Sequence, residues 1–460
     1  MREIMSAAEL GNSLPLWSCI PFVGMLLSIA IIPLIRPEWW EKKKPWVVLF
    51  WSLLFLIPFA VAYGLGTASE RFLESIIGDY LTFIVLLFGL FCVTGNISLE
   101  GDIKGTPLTN TILLLLSALL SSWIGTTGAS MLMIRPIIRA NKYRPHKTQI
   151  AVFFIFLVSN IGGCLTPIGD PPLLMGFMRG VPFFWSLSLL PVMLMNFGIL
   201  LIAFFIIDTI FYNKDKKLGM SYNIAKEDKK PIRLRGAHNI IYLVMIVVAV
   251  ILSGILPTMP AFQNAEGEVI GLHILGEVSL TVPAMIEIVI ILIAAALSLI
   301  TTKKEVREAN HFSWDAIQEV AVLFVGIFVT MIPALLILKA KGGELGLTEP
   351  WQMFWATGAL SSFLDNTPTY LVFMTTAGSL GASTGVSTIV GTISQQMLMA
   401  ISCGAVFMGA NTYIGNAPNL MVKSIAEENG MKMPSFFGYM GWSLSCLIPV
   451  FIIDMLVFFL

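Results

Sequence analysis

Between residues 148 and 178 the chain is apolar enough to cross a bilayer. Yet its middle reads Thr166-Pro167-Ile168-Gly169-Asp170-Pro171-Pro172-Leu173-Leu174-Met175. Three prolines, a glycine and a carboxylate do not fit an uninterrupted helix. The phrase returns as Tyr413-Ile414-Gly415-Asn416-Ala417-Pro418-Asn419-Leu420-Met421, in register from Ile168 to Ile414 at an offset of 246 residues, with Asn416 in place of Asp170. Irregular backbone at membrane depth persists only inside protein or against a wet cavity. A chain that breaks a membrane helix twice with one phrase points to a transporter built from two repeats.

The remaining sequence fits a membrane setting. It is 56% hydrophobic and 12% charged, with a mean hydropathy of +0.84, far too apolar for a soluble chain of this length. Zero formal net charge gives no electrostatic reason to expect nucleic acid as a partner. Cys19, Cys92, Cys164, Cys403 and Cys446 lie in apolar segments without paired spacing, as small buried side chains do. His146, His238, His273 and His311 are scattered over predicted loops, which argues against haem or zinc inside the membrane. A cleaved signal is not expected. Arg2 is offset by Glu3, and the first apolar run ends in Arg36 and Trp39-Trp40-Glu41-Lys42-Lys43-Lys44 with no small-residue cleavage site.

Uninterrupted apolar runs lie near 15–35, 46–66, 79–98, 182–212, 239–257, 279–300, 315–338 and 435–460. A hydrocarbon core of about 30 Å needs about 20 such residues. Four more stretches, 106–138, 148–178, 350–386 and 387–422, are apolar but interrupted by Gly, Pro, Asn, Ser and Thr. The expected fold is an all-α polytopic membrane protein with about 11 spans.

Loop charge orients it. Basic clusters occur at 36–44, at Arg135-Arg139-Lys142-Arg144-Lys147, and at 214–235, where Lys226 and Lys229 are among eight cations. Loop 258–278 carries Glu266, Glu268 and Glu277 without Lys or Arg. The first three clusters belong in the cytoplasm and the last loop outside. Residues 106–138 must then enter and return from inside as a re-entrant hairpin tipped at Ser121–Gly128, and 350–386 from outside, tipped at Ser361–Thr369. The halves acquire opposite topology. Repeat 1 spans 46–212 and repeat 2 spans 279–460, each with a hairpin and a broken helix (148–178 and 387–422). Residues 1–45 precede them as a span and loop, and 213–278 join them as a basic cytoplasmic loop, a linker span and an outer loop. Both termini fall outside a cell inner membrane.

A carboxylate at a helix centre costs about 2.5–3.5 kcal/mol on insertion scales and is a functional hypothesis by default. Asp365, at the second tip beside Asn366 and Thr367, is the strongest candidate to bind a cation or proton. The alternative is that it only caps backbone N–H groups. Asp170 and Asn416 precede prolines, where either can cap the half-helix that follows. Ser159, Asn160, Thr166, Asn411 and Thr412 offer neutral oxygens beside unwound backbone, and Thr126 and Thr127 do so at the first tip. Hard cations such as Na⁺ want oxygen ligands, for which Asn160, Asp365 and Asn411 are the candidates. Asp208 leads into a polar loop and reads as interfacial. Glu287 and Asp454 read as helix–helix polar contacts, and Arg135 and Arg139 as cytoplasmic anchors of the first hairpin.

With these residues in place the chain resembles the ion transporter superfamily of NhaD-type sodium/proton antiporters, citrate and dicarboxylate transporters and arsenite permeases. Ser159-Asn160-Ile161-Gly162-Gly163, Thr166-Pro167-Ile168-Gly169-Asp170, Asp365-Asn366-Thr367 and Asn411-Thr412 through Pro418 carry the likeness. It covers most of the chain. It implies a homodimer in which both hairpins and both broken helices move elevator-fashion against a scaffold. NhaD-type chains also tend to carry Asp-Asn in the first hairpin, where this one has Gly125-Thr126, and Pro171-Pro172 looks closer to a branch named for citrate transport.

Two functions remain. Na⁺/H⁺ antiport needs one carboxylate for which Na⁺ and H⁺ compete, with Asp170 at a half-helix N-terminus helping to hold the cation. Na⁺- or H⁺-coupled uptake of citrate or another carboxylate needs a polyanion to approach Asp365 with no Lys or Arg between the hairpin tips and the half-helix starts. Lys423 lies past the second break. The charges favour the cation. Na⁺ is then cargo or coupling ion, no cofactor is expected, and no nucleophile–base or metal motif suggests an enzyme.

Overall fold

Residue 37 is a proline at a helix start, and the chain uses that device repeatedly. A missing N–H costs nothing in a first turn, so proline can set where an apolar segment begins to wind. The computed structural model describes residues 5–219, 230–276 and 278–460, so Arg2, Glu3, Lys226, Lys229 and Glu277 lie outside the described residues. A short α1 (Ala7–Ser13) precedes α2 (Ile20–Ile35) and α3 (Pro37–Tyr63). Next, α4 (Leu65–Leu73) runs through a π-helical stretch, Glu74–Leu81, into α5 (Thr82–Gly95). The first hairpin is α6 (Pro107–Ile124) and α7 (Thr126–Ala140). The first broken helix is α8 (Thr148–Leu157), a 3₁₀ turn at Ile161–Leu165, and α9 (Pro171–Met178).

After α10 (Leu190–Lys217) come α11 (Asn239–Ile255), α12 (Val282–Thr301), the short α13 (Lys304–Ala309) and α14 (Asp315–Lys341). The second hairpin is α15 (Pro350–Ser361) and α16 (Asn366–Ser379). The second broken helix is α17 (Gln395–Met408), a 3₁₀ turn at Gly409–Asn411, and α18 (Ala417–Glu428). Last comes α19 (Phe436–Asp454).

Among the described residues ten helices are long and apolar enough to span a membrane. The chain is an all-α polytopic membrane protein. The second half's interrupted segments are not among the ten, because their helices are only 12 to 14 residues long. Three boundaries differ from the sequence expectation. Leu65–Gly95 is one continuous span, since its π stretch lets Glu74 and Asp79 ride on the helix. A two-stranded ribbon, β1 (Val386–Thr388) with β2 (Gly391–Ile393), occupies the start of the expected second broken helix. That helix also runs on to Glu428.

The broken helices form the middle of the molecule. Thr148–Leu165 is 89% buried, against 17% for α3, whose exposed side chains suit lipid. Loop contacts fall into two sets. On one end Asp102 N–H donates to the Lys230 carbonyl, Asn310 Nδ2 donates to the Gly95 carbonyl and Thr148 Oγ1 to that of Lys432. The first hairpin's open end belongs there, with Gly105 N–H donating to the Ala140 carbonyl and Arg139 Nη2 to that of Leu99. At the other end Lys341 Nζ donates to the Asn12 carbonyl, Ile389 N–H to the Arg179 carbonyl and Trp185 Nε1 to Gln395 Oε1.

Asp208 is not interfacial. It is fully buried, because α10 continues past it to Lys217 and the loop after α7 folds over it. Arg144, also buried, grips it through Nη1 and Nη2 at 3.0 and 2.7 Å. Asn110 Nδ2 and Gln149 Nε2 also donate to its carboxylate, at 3.0 and 2.7 Å, and Arg144 Nε lies 3.6 Å from Asp215. Asp454 matches its expected role, accepting from Asn196 Nδ2 of α10 at 2.8 and 3.0 Å. Glu287 is buried between α11 and α12.

Removing one partner of a buried ion pair leaves the other charge uncompensated, at about 3–5 kcal/mol. Asp208→Ala is therefore expected to lower the thermal midpoint of the purified protein in detergent sharply, while Glu41→Ala on the exposed side of its salt bridge shifts it little. Equal midpoints for Asp208→Ala and the native protein would contradict the pairing.

Candidate functional site

The site begins with backbone that cannot hydrogen-bond to itself. Where the first broken helix unwinds, its carbonyls need donors, and the first hairpin brings them. Ser121 Oγ donates to the Val158 carbonyl at 2.7 Å and Ser122 Oγ to the Gly162 carbonyl at 2.5 Å. Thr166 Oγ1 answers by donating to the Ser122 carbonyl. The second break repeats the arrangement. Ser361 Oγ donates to the Ala405 carbonyl at 2.6 Å, Ser362 Oγ to that of Met408 at 3.1 Å, and Thr412 Oγ1 to that of Ser362. Thr166 and Thr412 thus fasten the tips to the breaks. Asn411 does likewise, donating through Nδ2 to Ser362 Oγ at 2.9 Å, while its Oδ1 is buried without a hydrogen-bond partner.

Of the two carboxylates it is Asp365, not Asp170, whose side chain caps a helix. Asp170 occupies the N-cap position of α9, and Asn416 that of α18, but neither side chain caps the helix that follows. Fully buried Asp170 instead accepts from Thr126 Oγ1 of the first hairpin at 3.0 Å and from Asn366 Nδ2 of the second at 2.8 Å. Both tips meet on it. Asp365 is the residue that caps, accepting the Thr367 N–H at 2.9 Å through Oδ1, yet it is only half-buried and faces a cavity.

That cavity has a volume of about 500 Å³. Its inner wall contains Thr126, Thr127, Asp365 and Asn416, so both tips and both breaks reach it. Its outer wall includes Trp40, Glu41 and Glu319, near the α2–α3 corner and the start of α14. Lys44 sits beside those two glutamates, with Nζ 3.1 Å from Glu41 and 3.4 Å from Glu319. Among the described residues lining it, the charged ones are all acidic. Lys423 does not line it, pairing with Glu427 at 3.2 Å and lying over the Tyr413 ring. On the far end of α9, buried Arg179 pairs with Asp79 of the π-helical stretch at 3.0 Å.

Ser159 and Asn160 lie behind this wall, fully buried. Ser159 Oγ pairs with Ser130 Oγ at 2.9 Å, and Asn160 Oδ1 accepts from Asn416 Nδ2 at 3.2 Å. Thr367 is buried, with its hydroxyl 3.5 Å from Asn366 Oδ1 and beside the Asp365 carboxylate. Asn419, whose amide bonds to Asn160 at 2.8 Å, was missed by sequence reasoning. The signal available was its mismatch with Leu173 at the same place in the first phrase.

Each break folds back on itself too closely for a side chain at Gly169 or at Gly415. A methyl group at Gly169 would stand 2.1 Å from the Gly163 carbonyl oxygen, and one at Gly415 would stand 2.5 Å from that of Gly409. Overpacking backbone in this way costs about 1–3 kcal/mol or more. Gly169→Ala and Gly415→Ala should each reduce the yield of monodisperse protein in size-exclusion chromatography, whereas Gly441→Ala, which meets open space, should not. Native-like elution of both tight variants would show that the breaks can spread.

A search among curated proteins found no match. Residues 11–459 match the family described as "Putative citrate transport", which is nearly the whole chain and includes both hairpins, both breaks and the cavity between them. On that match the chain belongs to this transporter family.

Proposed function

We propose that the chain is a secondary transporter that exchanges Na⁺ for H⁺ at Asp365, with Asp170 beside it, by elevator-type alternating access. The observation that carries this reading is the charge of the cavity. Asp365, Glu41 and Glu319 line it, Asp170 lies behind its inner wall, and no Lys, Arg or His is among the described lining residues. Buried Arg71, Arg144 and Arg179 are each paired with carboxylates elsewhere. Lys44 is engaged by Glu41 and Glu319, so a tricarboxylate would meet Asp365 and Asp170 without a cation to balance them, whereas Na⁺ or H⁺ would meet its counter-charge. Thr126, Thr127, Asn416 and the backbone of the breaks supply the neutral oxygens that a hard cation wants.

The loop contacts support two repeats of opposite topology. The open end of the first hairpin lies with the basic loops and that of the second with the acidic loop. By the positive-inside rule the cavity then opens to the cytoplasm, and both termini lie outside the inner membrane. The Arg179–Asp79 pair closes the opposite end. Moving the hairpins and breaks as one body against α2, α3 and α14 would carry the site to the other side. The homodimer implied by the resemblance is part of this proposal, with the lipid bilayer as its surroundings.

A second reading has one observation in its favour. The family is described by citrate transport. Bound Na⁺ would have to screen Asp365 and Asp170 before a carboxylate could approach. Proteoliposomes separate the two. We expect a Na⁺ gradient to drive a pH change and labelled citrate to stay at the level of empty liposomes. Strong citrate uptake with no Na⁺-driven pH change would replace the first reading by the second.

Asp365→Asn isolates the charge, because asparagine caps a helix as well as aspartate does. The variant should fold, keep its thermal midpoint within about 1 kcal/mol of native stability, and lose Na⁺/H⁺ exchange to the level of empty liposomes. Native exchange by this variant would remove Asp365 from the mechanism.

A further inference from the structure

Asn419 is fully buried and does not line the cavity, yet it decides what the site can offer. Its Nδ2 donates to two backbone carbonyls of the second break, Gly409 at 2.8 Å and Thr412 at 2.9 Å. A carbonyl can only accept, so both partners fix the nitrogen end of this amide. Oδ1 must then face Asn160, and it accepts from Asn160 Nδ2 at 2.8 Å. The other donor of Asn160 goes to the Ile155 carbonyl at 2.8 Å, again a partner that only accepts. Both nitrogen donors of Asn160 are thereby consumed on one side. Oδ1 is the end left to face Asn416, whose own Nδ2 donates to it and to the Ser159 carbonyl at 3.1 Å. The Asn416 side chain in turn lies against Asp170.

We infer that Asn419 is a positioning residue that locks the Asn160–Asn416 amide pair in the polarity a cation site requires. This rests on the cation reading above. An amide offers oxygen from one end and N–H from the other, and a half-turn exchanges the two. With Asn419 in place, Asn160 turns its oxygen toward the cavity wall and Asn416 is held by its nitrogen. Without it, Asn160 keeps only the Ile155 carbonyl of the two acceptors that fix its nitrogen end, and the amide pair behind the cavity wall loses its tie to the second break. The first break cannot supply this lock, since Leu173 occupies the equivalent place.

The test compares native protein, Asn419→Ala and Asn419→Asp in proteoliposomes, reading the Na⁺ KM and the maximal rate of Na⁺-driven pH change, with labelled citrate as a parallel arm. A protonated aspartic acid still accepts from Asn160 and donates to one carbonyl. Asn419→Ala should raise the Na⁺ KM about tenfold, with little loss of maximal rate, and Asn419→Asp should stay near the native KM. If the alanine variant does not fold, Asn419→Ser replaces it, because serine can still reach one carbonyl but not Asn160. An equal KM rise in both Ala and Asp variants, or a native KM in the alanine variant, would overturn the role of Asn419 alone. A native protein that moves only citrate would overturn the cation reading, and the polarity argument with it.

Discussion

Every unwound carbonyl at membrane depth has to find a donor, and the architecture follows from how this chain finds them. An unsatisfied buried amide costs several kcal/mol. Prolines and glycines in each break leave carbonyls without helical partners, and water would reach them only by flooding the bundle. The solution is a helical hairpin with a serine pair at its tip. Ser121 and Ser122 serve the first break, Ser361 and Ser362 the second, and a threonine of each break returns a bond to its tip. Hairpin and broken helix are therefore one unit. Neither is stable at that depth without the other, which is why the cavity is walled by both.

The same accounting applied to charge separates support from site. Arg144 with Asp208 at one end, and Arg179 with Asp79 at the other, are charge pairs that cancel locally. Such pairs fix geometry and leave no net field to attract cargo. Asp170 differs, because both its hydrogen-bond donors, Thr126 and Asn366, are neutral. Its charge is solvated by dipoles, with no cation to cancel it. Asp365 is likewise capped to backbone rather than paired. Asp454 and Glu287 are also buried against neutral partners, but away from the cavity; the uncancelled carboxylates at the cavity lie where the four interrupted segments meet.

Much of this was legible in the sequence. Proline and glycine inside apolar runs located the breaks, and serine, glycine and asparagine located the tips, because backbone chemistry at depth leaves few alternatives. Hairpin and helix limits came within a few residues for the first half. What failed had a common cause. Whether Asp170 caps or is gripped depends on Asn366, 196 residues away. Asp208 looked interfacial from its neighbours in sequence and is buried by Arg144 from another segment. Asn419 was hidden by the search for echoes, since a repeat is recognised by matches while its asymmetry lies in mismatches. Asn419 against Leu173, Asp365 against Gly125 and Asp170 against Asn416 are three positions where the two halves part.

Those mismatches bear on coupling. If the hairpins and breaks move as one body, whatever charge they hold crosses an apolar barrier with them. An uncompensated charge at the bilayer centre costs about 2.5–3.5 kcal/mol on insertion scales and more by other measures. With Asp365 and Asp170 both ionised and empty, the mobile body would meet that cost twice. Neutralising either carboxylate by Na⁺ or by H⁺ lowers it, and the two ions compete for the same oxygens. The loaded body then crosses in either form and the empty one is held back. Exchange is favoured over leak without any dedicated gate. A site with a balancing arginine would lose this property, because its empty state would already be neutral. On the proposed exchange reading, the lack of a lining cation would both select the cargo and enforce the exchange.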